Sequence, residues 1–496
     1  MPSAAPKPKG EARARPRIFA RRRTRSLVTL IVITAHILGL LSSVHAVMTT
    51  RTAQGAIAWA VSLNALPYVS VPAYWVFGRR KFAGYVEARQ DREEEIAYLR
   101  EDVIRGLEPF AESSVERVPE YQGLKALAGT SLFEGNDVEL LIDGEATFDS
   151  ILTGIAEARE YVLVQFYIVR DDGLGTRLQQ AMIERARQGV RVFFLYDEIG
   201  SHQLSKAYRE DLRQAGVEVS AFNTTQGRRN RFQLNFRNHR KIVVVDGRQA
   251  WIGGHNVGDE YLGLDPEFGE WRDTHVRLTG PTVQMAQATF LADWYWATRG
   301  LPELEWQAEP AADGDTLALI LPTSPADEIE KAQLFFVHAL NSARQRIWIA
   351  TPYFVPDEAV IAALTLAALR GVEVKILIPD KPDSVLVQLS SFWYIEELGD
   401  TDIHFYRYEP GFLHQKVMLV DDMLATVGTA NFDNRSFRLN FEVTAVVADR
   451  DFAREVEEML EADFARSQPI DPDVLKQKPF LFRLAVRTAR LMAPVQ

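Results

Sequence analysis

Two ten-residue stretches of this chain follow one pattern: Asn238-His-Arg-Lys-Ile-Val-Val-Val-Asp-Gly and Leu413-His-Gln-Lys-Val-Met-Leu-Val-Asp-Asp. Both continue into a glycine-containing turn, so each copy fits H-x-K-x4-D-x6-G-[GT]-x-N. The residues at the fixed positions of the pattern are His239, Lys241, Asp246, Gly253, Gly254 and Asn256 in the first copy, and His414, Lys416, Asp421, Gly428, Thr429 and Asn431 in the second. A single His-x-Lys pair arises often by chance. Two full copies with identical spacing, in a chain with only nine histidines, indicate function.

The apolar run in each copy predicts a buried β-strand. Side chains two positions apart on a strand point to the same face, so each histidine shares a face with the lysine of its own copy. Asp246 and Asp421 have the opposite parity, which predicts that they orient backbone at the strand end. Because they belong to the repeated motif, they are still counted with the four His and Lys residues as candidate catalytic residues.

Together the two faces would hold two imidazoles, two ammonium groups and two amides, a set that suits a phosphodiester. The lysines, with Asn256 and Asn431 as phosphate-binding amides, would stabilise the non-bridging oxygens in the transition state. One neutral histidine would attack phosphorus and form a phosphohistidine. The other would protonate the leaving alkoxide and then take a proton from the incoming alcohol or water. This scheme requires no metal and no other cofactor.

The chain around the motifs is a repeat. Short β-branched and aromatic runs alternate with amphipathic stretches, which is typical of βαβ units. A helix end reading Ala186-Arg-Gln-Gly-Val-Arg-Val resembles Ala368-Leu-Arg-Gly-Val-Glu-Val, in the same order relative to each motif. Similarity on this scale indicates duplication of a whole α/β domain. The predicted halves are residues 126–305 and 306–475, joined at a segment rich in proline and glycine.

Two apolar segments precede the halves. Residues 27–48 and 56–77 contain no Asp, Glu, Lys or Arg, and each is long enough to cross a hydrocarbon layer of about 30 Å as a helix. Both outer flanks are basic, so the positive-inside rule predicts a transmembrane hairpin over residues 26–82 with the large body in the cytoplasm. A signal peptide cleaved near Ala46 and a pair of buried core helices are the alternatives.

Charge is distributed unevenly. Residues 1–25 contain nine Lys or Arg and one acid, a basic tail, and the remainder contains 47 basic and 66 acidic residues for a net charge of −11 overall. The acidic body argues against a general nucleic-acid-binding protein. The chain contains no cysteine, which excludes disulfides, thiolate metal sites and a cysteine nucleophile.

Three further segments carry predictions. Residues 83–125 predict a helical connector with a solvated, charged surface. Residues 476–496 predict a basic amphipathic helix that lies either on a bilayer or on the body. A cluster of arginines just before the first motif could attract anionic headgroups or be a solvated basic loop: Arg228, Arg229, Arg231, Arg237 and Arg240.

The duplicated H-x-K-x4-D motif resembles the phospholipase D superfamily, which implies a duplicated α/β/α sandwich with mixed sheets. The flanks Thr351-Pro-Tyr-Phe-Val-Pro-Asp and Gly428-Thr-Ala-Asn-Phe-Asp-Asn-Arg-Ser-Phe are similar to those of bacterial cardiolipin synthases. The resemblance covers nearly the whole chain after residue 25. It implies a protein of the bacterial inner membrane, with phosphatidylglycerol and anionic membrane lipid as partners.

The resemblance also implies a reaction. One phosphatidylglycerol would donate its phosphatidyl group to the enzyme and release glycerol, and a second would accept the group, giving cardiolipin. His239 is then the nucleophile and His414 the general acid/base, while the near-symmetry keeps the reverse assignment open. In the family an acid downstream of each motif orients its histidine, and the matching positions are Asp273 and Glu442.

Other functions stay open from the sequence. A hydrolytic phospholipase D or another phosphatidyltransferase would use the same site, with the outcome set by whether water or an alcohol reaches the phosphoenzyme. A nuclease of the same superfamily conflicts with the acidic body and the apolar segments. A catalytically inactive membrane scaffold conflicts with the two intact motifs.

Overall fold

The computed structural model of the chain describes residues 17–78, 82–90, 101, 103–112, 119–223 and 235–496. The chain divides into two compact units, one formed by residues 1–80 with 232–234, and the other by residues 81–231 with 235–496. The side chains of the basic tail and of Arg228, Arg229 and Arg231 lie outside the described residues.

The first unit consists of three helices: α1 (Arg17–Thr49), α2 (Ala53–Ala65) and α3 (Pro67–Phe77). Within α1, Leu27–Thr49 is apolar and long enough to cross a membrane. The prediction of one continuous helix over residues 56–77 is wrong, because the chain leaves helical geometry at Leu66 (φ −134°, ψ 56°). Pro67 explains the break: its ring disfavours a helical residue before it, and it lacks an N–H.

Small and polar residues lie where these helices meet. A Cβ atom on Gly39 of α1 would lie 2.3 Å from the carbonyl oxygen of Leu63 in α2, so this close approach requires glycine. Nearby, the Asn64 side-chain amide donates a 2.8 Å hydrogen bond to the Ser43 hydroxyl. Small residues and interhelical hydrogen bonds are the usual means of helix association in lipid, where apolar side chains gain little from burial.

The second unit alternates strands and helices. Its helices are α4 (Ala83–Gln90), α5 (Pro119–Ala128), α6 (Asp143–Glu157), α7 (Gly173–Arg187), α8 (Lys206–Gln214), α9 (Val283–Thr298), α10 (Lys331–Ser342), α11 (Glu358–Leu369), α12 (Val385–Leu398), α13 (Asn434–Arg438), α14 (Arg450–Ala465) and α15 (Phe480–Arg490). Its strands are β1 (Phe133–Ile142), β2 (Tyr161–Phe166), β3 (Arg191–Tyr196), β4 (Glu218–Ala221), β5 (Arg237–Asn238), β6 (Ile242–Val245), β7 (Gln249–Gly253), β8 (Glu270–Arg272), β9 (Thr274–Thr279), β10 (Thr316–Thr323), β11 (Arg346–Ala350), β12 (Phe354–Val355), β13 (Glu373–Pro379), β14 (Ile403–Tyr408), β15 (Gly411–Leu413), β16 (Val417–Val420), β17 (Leu424–Gly428), β18 (Phe432–Asp433), β19 (Asn440–Ala448) and β20 (Ser467–Pro469).

The strands confirm the predicted duplication. One mixed sheet runs in the order β20-β14-β13-β11-β16-β17-β19-β10-β1-β9-β7-β6-β2-β3-β4. From β1 outward and from β10 outward, the strands follow the same order, with parallel β2–β3 and β11–β13 pairs and antiparallel pairs around each motif strand. The two halves join edge to edge, since β1 pairs with β10 in antiparallel fashion. The sequence predicts two similar sheets but not their fusion into one.

Both faces of the sheet are covered. On β2, Val162 and Val164 pack in a core with residues of α6, α7 and α8, whereas Leu163 packs in a second core with residues of α9 and α14. This alternation is the period-two pattern of a strand buried on both faces. Residues of both halves contribute to the second core, so the halves form one folded body.

The connector before the halves is anchored to the body. Tyr85 of α4 is buried, its ring centroid lies 4.9 Å from that of Phe441, and its hydroxyl donates a 3.2 Å hydrogen bond to Asp293. Phe82 and Leu107 are also buried. The expectation of a solvated connector is therefore wrong at these residues, and residues 91–100 lie outside the described part.

Candidate active site

Each motif histidine follows a very short strand that pairs with the other half of the chain. Strand β5 pairs in parallel with the start of β19, and β15 pairs in parallel with β8. The backbone pairing continues into the motifs, because the His239 N–H donates to the Phe441 carbonyl at 2.9 Å and the His414 N–H donates to the Arg272 carbonyl at 2.8 Å. Each histidine backbone is thus held by a strand of the opposite half.

Because of this register, each motif histidine pairs with a carboxylate of the other half. Nδ1 of His239 lies 2.9 Å from Oε2 of Glu442, and Nδ1 of His414 lies 2.6 Å from Oδ2 of Asp273. Asp273 and Glu442 are the acids that were expected to orient the histidines, and each does contact a motif histidine. The expectation that each acid orients the histidine of its own motif is wrong, because each contacts the histidine of the other half. Equivalent positions on paired parallel strands lie side by side, so the residue after β5 meets the residue after Phe441.

The carboxylates select one tautomer of each histidine. An ionised carboxylate only accepts hydrogen bonds, so the hydrogen of each neutral ring resides on Nδ1. Nε2 of each ring is then a lone-pair acceptor. A neutral imidazole in this tautomer can attack an electrophile or accept a proton.

The two motif lysines are buried beside the histidines. Nζ of Lys241 donates a 2.8 Å hydrogen bond to the carbonyl of His239, and Nζ of Lys416 donates to the carbonyl of His414. Each lysine also affects the histidine of the other half, since the charge of Lys416 acts on His239 and that of Lys241 acts on His414. The structure therefore brings both motifs into one cationic site, as the pattern predicts.

Burial sets the protonation of this site. It lowers the pKa of His239 to about 4 against the opposing charge of Glu442, and it lowers the pKa of His414, with help from both lysines. Burial also lowers the pKa of Lys416 to about 8 and that of Lys241 well below the ordinary lysine value. Both histidines are therefore neutral near pH 7 before a substrate binds.

The two carboxylates are held differently. Glu442 accepts hydrogen bonds from the Thr429 hydroxyl at 2.6 Å, the Ser436 hydroxyl at 2.9 Å and the Asn440 amide at 3.0 Å. Burial raises the pKa of Glu442, but His239, Lys241 and the Thr429 hydroxyl outweigh burial, so the pKa lies below its ordinary value. Glu442 is thus fixed as an ionised acceptor.

Asp273 has a backbone donor and a glycine beside it. Its Oδ1 accepts a 2.8 Å hydrogen bond from the Thr274 N–H. Gly254, the counterpart of Thr429, leaves room for this carboxylate, because a Cβ atom there would lie 2.0 Å from Oδ1. The second residue of the G-[GT] pair therefore lies beside the carboxylate in both halves. Gly254 leaves space for Asp273, whereas the Thr429 hydroxyl donates a hydrogen bond to Glu442.

Asp246 and Asp421 do not belong to the catalytic group. The Asp246 carboxylate accepts hydrogen bonds of 2.8 to 2.9 Å from the backbone N–H groups of Arg159, Glu160 and Tyr161 at the start of β2. Asp421 does the same at the start of β11, with the N–H groups of residues 344, 345 and 346. Both have positive φ, 52° and 54°. They are structural, as the parity argument expects, and their inclusion among candidate catalytic residues is corrected.

The two motif asparagines lie in the site region with part of each amide engaged. Oδ1 of Asn256 accepts a 3.0 Å hydrogen bond from the Ile168 N–H, and its Nδ2 donates to the Tyr261 hydroxyl at 2.9 Å. Nδ2 of Asn431 donates to Asp433 at 3.2 Å. Each amide nitrogen has two hydrogens, so these contacts account for one donor hydrogen of each.

Aromatic residues that the sequence analysis missed surround the histidines. The Tyr167 ring lies edge-on to His239 at 5.0 Å and beneath Nζ of Lys241 at 5.4 Å. Near His414 lie Trp271 at 5.2 Å and Phe412 at 5.9 Å. The repeat gave no signal for Tyr167, because the equivalent position after β11 is Pro352.

Two further basic residues prove structural. His255, which lies between Gly254 and Asn256 in the first motif, is buried with its Nδ1 3.0 Å from Nδ1 of His275, and burial lowers the pKa of both rings to about 3. Arg240, which could have attracted headgroups, is buried and donates to Asp293 at 2.8 Å. Among the described residues, no group of three or more His, Cys, Asp or Glu side chains is arranged to hold a metal ion.

The chain is similar in sequence to known proteins over nearly its whole length. Residues 151–294 and 336–464 match the family described as "Cardiolipin synthase, PLD-like domain". The chain is 50% identical over 471 residues to Cardiolipin synthase A of Pseudomonas aeruginosa strain LESB58, covering 94% of this chain and 96% of that protein. It is 49% identical over 465 residues to Cardiolipin synthase A of Pseudomonas putida strain W619, covering 93% and 96%.

The fold is also similar to a solved structure. The crystal structure of phosphatidylserine synthase from Haemophilus influenzae Rd KW20 superposes with a TM-score of 0.57, covering 76% of this chain and 100% of that chain. The sequence identity is 13%, so this likeness concerns the fold alone.

The crossed pairing makes a specific prediction. Glu442→Gln should disturb the tautomer of His239 and leave that of His414 intact, and Asp273→Asn should do the reverse. Nitrogen NMR of labelled histidines reports each tautomer. Turnover should fall by about 100-fold or more in both variants, as expected when an orienting carboxylate is lost. Glu267→Gln, an exposed acid in the first half, is the control. A disturbed His414 in Glu442→Gln would contradict the crossed assignment.

Proposed function

Because the chain belongs to the cardiolipin synthase family with phospholipase D-like domains, we propose that it transfers a phosphatidyl group from one phosphatidylglycerol to another and releases glycerol. The observation that carries this proposal is the joint site, in which two neutral histidines, each held by a carboxylate of the opposite half, lie with two buried lysines. Such a site supplies a nucleophile, a proton carrier and fixed positive charge for a phosphodiester.

In the proposed first step, Nε2 of His239 attacks the phosphorus of phosphatidylglycerol. On binding, the negative phosphate stabilises the imidazolium form of His414, so Nε2 of His414 takes up a proton from solvent. The bond to the glycerol oxygen then breaks, and His414 gives that proton to the oxygen, so that glycerol leaves. Lys241 and Lys416 offset the negative charge that develops on the non-bridging oxygens. Glu442 supports this role because a fixed carboxylate stabilises the positive charge that His239 gains as its Nε2 forms the bond.

The second step reverses the proton movement. His414, now neutral, accepts the proton of a hydroxyl group on a second phosphatidylglycerol, and that oxygen attacks the phosphohistidine. The P–N bond breaks, His239 returns to its neutral form, and cardiolipin is released.

We further propose that the protein is an inner-membrane protein with its body in the cytoplasm. Helix α1 carries the apolar stretch Leu27–Thr49, and α2 with α3 would form a second, broken crossing. Discontinuous helices are tolerated in membranes where neighbours satisfy the freed backbone groups. The basic flanks at residues 13–25 and 79–81 support an orientation with both ends in the cytoplasm.

Helix α15 is proposed to lie on a bilayer surface. It is docked on the body through the buried Val486 and Ala489, with the Arg490 guanidinium 3.4 Å from the centroid of the Trp393 ring. Its leucines remain exposed, with relative exposures of 75% for Leu481 and 50% for Leu484. A helix with an exposed apolar face and several arginines suits an anionic bilayer surface. The two sequence alternatives for this segment are thus compatible.

The membrane arrangement can be tested in the natural cysteine-free background. Two variants, Asp149→Cys on the body and Leu484→Cys on α15, each introduce one cysteine. Neither should react with an impermeant thiol reagent that is added to intact cells. In inverted vesicles, the cysteine at 149 should react readily, and the cysteine at 484 should react more slowly because lipid covers it. Labelling of position 149 from outside intact cells would overturn the orientation. Equal reactivity at both positions in inverted vesicles would overturn the contact of α15 with the bilayer.

The products identify the reaction. The full-length protein, supplied with phosphatidylglycerol in vesicles, should form cardiolipin and glycerol in equal amounts. His239→Ala and His414→Ala should each lower the rate on the order of 1000-fold or more, because each histidine is needed for the whole cycle. His404→Ala, which removes an exposed histidine of β14, is the matched control. Phosphatidic acid as the sole product, or full activity of either active-site variant, would contradict the proposal.

The rate should depend on pH through the lysines. Lys416, whose pKa burial lowers to about 8, is charged below that pH and neutral above it. The value of kcat/KM should therefore fall as pH rises through about 8, since the transition state loses a cation; Lys241 acts in the same direction. The unfolding transition at each pH is the control. A value of kcat/KM that stays constant up to about pH 10 would contradict this role of the lysines.

A further inference from the structure

The His239 side of the site carries one more cation on the same face of the chain. Side chains alternate along an extended segment, so Arg237, His239 and Lys241 face one way and Asn238 and Arg240 the other. The structure agrees, because Asn238 and Arg240 both donate hydrogen bonds of 2.8 Å to the buried Asp293. Arg237 therefore extends the row of functional side chains by one position.

A second arginine comes from the other half. Arg435 of α13 precedes Ser436, whose hydroxyl donates to Glu442, the carboxylate of His239. Its guanidinium donates to the carbonyl oxygen of Asn235 at 2.9 Å and to Oδ1 of the same residue at 2.8 Å. Asn235 lies two positions before Arg237, so the two arginines approach each other from opposite halves.

The two arginines share an environment. Burial lowers the pKa of Arg435, and the positive charge of Arg237 lowers it further. Both charges also act on the hydroxyl of Tyr167, whose ring lies edge-on to His239 at 5.0 Å. The charges of Asp433 and Glu442 offset part of this effect on Arg435. An anion that accepts hydrogen bonds from both guanidinium groups would further reduce their mutual repulsion.

The duplication supplies an internal comparison. At the position equivalent to Arg237, the second motif has Phe412, which is buried with its ring 5.9 Å from His414. At the position equivalent to Arg435, the first half has Glu260, which pairs with Arg170 at 3.1 Å. The arginine pair is therefore a property of the His239 side and not of the shared fold.

Resting on the proposed function, we propose that Arg237 and Arg435 bind the phosphate of the second phosphatidylglycerol, the acceptor lipid. In the product two phosphates are joined by a single glycerol. Residues two apart on a strand are separated by about 7 Å, so Arg237 lies within reach of a phosphate one glycerol away from the group on His239. Nη1 of Arg237 donates to the Phe236 carbonyl, and Nη1 and Nη2 of Arg435 donate to Asn235. Because a guanidinium carries five N–H donors, each arginine can also donate a charge-assisted hydrogen bond to a phosphate oxygen.

This site would select the acceptor. Water and free glycerol carry no phosphate and gain nothing from the arginine pair. An acceptor with a phosphodiester gains charge-assisted hydrogen bonds, which are the stronger kind in proteins. The pair thereby favours synthesis of the diphosphate lipid over hydrolysis and over simple exchange of the headgroup.

The test compares acceptors with one donor. Full-length protein in phosphatidylglycerol vesicles is supplied with labelled glycerol, and two rates are measured in the same sample: cardiolipin formation and label exchange into phosphatidylglycerol. Arg237→Gln and Arg435→Gln should slow cardiolipin formation by about tenfold or more, the effect of losing one charge-assisted hydrogen bond. Exchange should change by less than about threefold, since surrounding contacts shift only slightly. Because exchange requires a folded site, it also controls for folding.

A third acceptor separates the possible sources of phosphate. If the arginine pair binds any phosphate, the variants should also transfer the phosphatidyl group to glycerol 3-phosphate more slowly. If the pair requires the lipid, only cardiolipin formation should be slower. Either result supports the pair as a phosphate site. Arg454→Gln, an exposed arginine of α14 paired with Asp451, is the matched control. Equal loss for all acceptors, or no loss for any, would overturn the inference. Exchange without cardiolipin in the unsubstituted protein would instead overturn the proposed function.

Discussion

The register of two very short parallel strand pairs is the constraint on which the site depends. Strand β5 pairs with β19 and β15 with β8, and the next residues along are the histidine of one half and the carboxylate of the other. A slip of one residue in either pair would turn the histidine and the carboxylate to opposite faces. Neither half can therefore orient its own histidine, and the two copies of the motif act as one site.

Buried charge explains why the halves form a single body. Both lysines and both carboxylates are almost fully buried, and an isolated charge in such a place costs several kcal/mol. Each half supplies the carboxylate that the histidine of the other half needs, so separation would leave buried polar groups without partners. The edge-to-edge pairing of β1 with β10 and the core shared by both halves hold these groups together.

Local rules predicted part of this arrangement. The period of two along the motif strands placed His239 with Lys241 and separated Asp246, and the repeat predicted two similar α/β halves. The crossed carboxylates escaped prediction because strand pairs of two or three residues carry no periodic signal. The break at Leu66 was missed because a proline near the middle of an apolar segment permits either a kink or two helices. Arg240 has the opposite parity to Arg237, but its burial was not predicted because its partner Asp293 lies 53 positions further along the chain.

Duplication followed by divergence gives the two histidines different surroundings on the same backbone. His239 has the fixed Glu442 and the arginine pair, whereas His414 has Asp273 and aromatic neighbours. The most direct test of the account is to quench the reaction with labelled phosphatidylglycerol and locate the covalent adduct by mass spectrometry. The account predicts a phosphatidyl group on His239. An adduct on His414, or no histidine adduct at all, would contradict it.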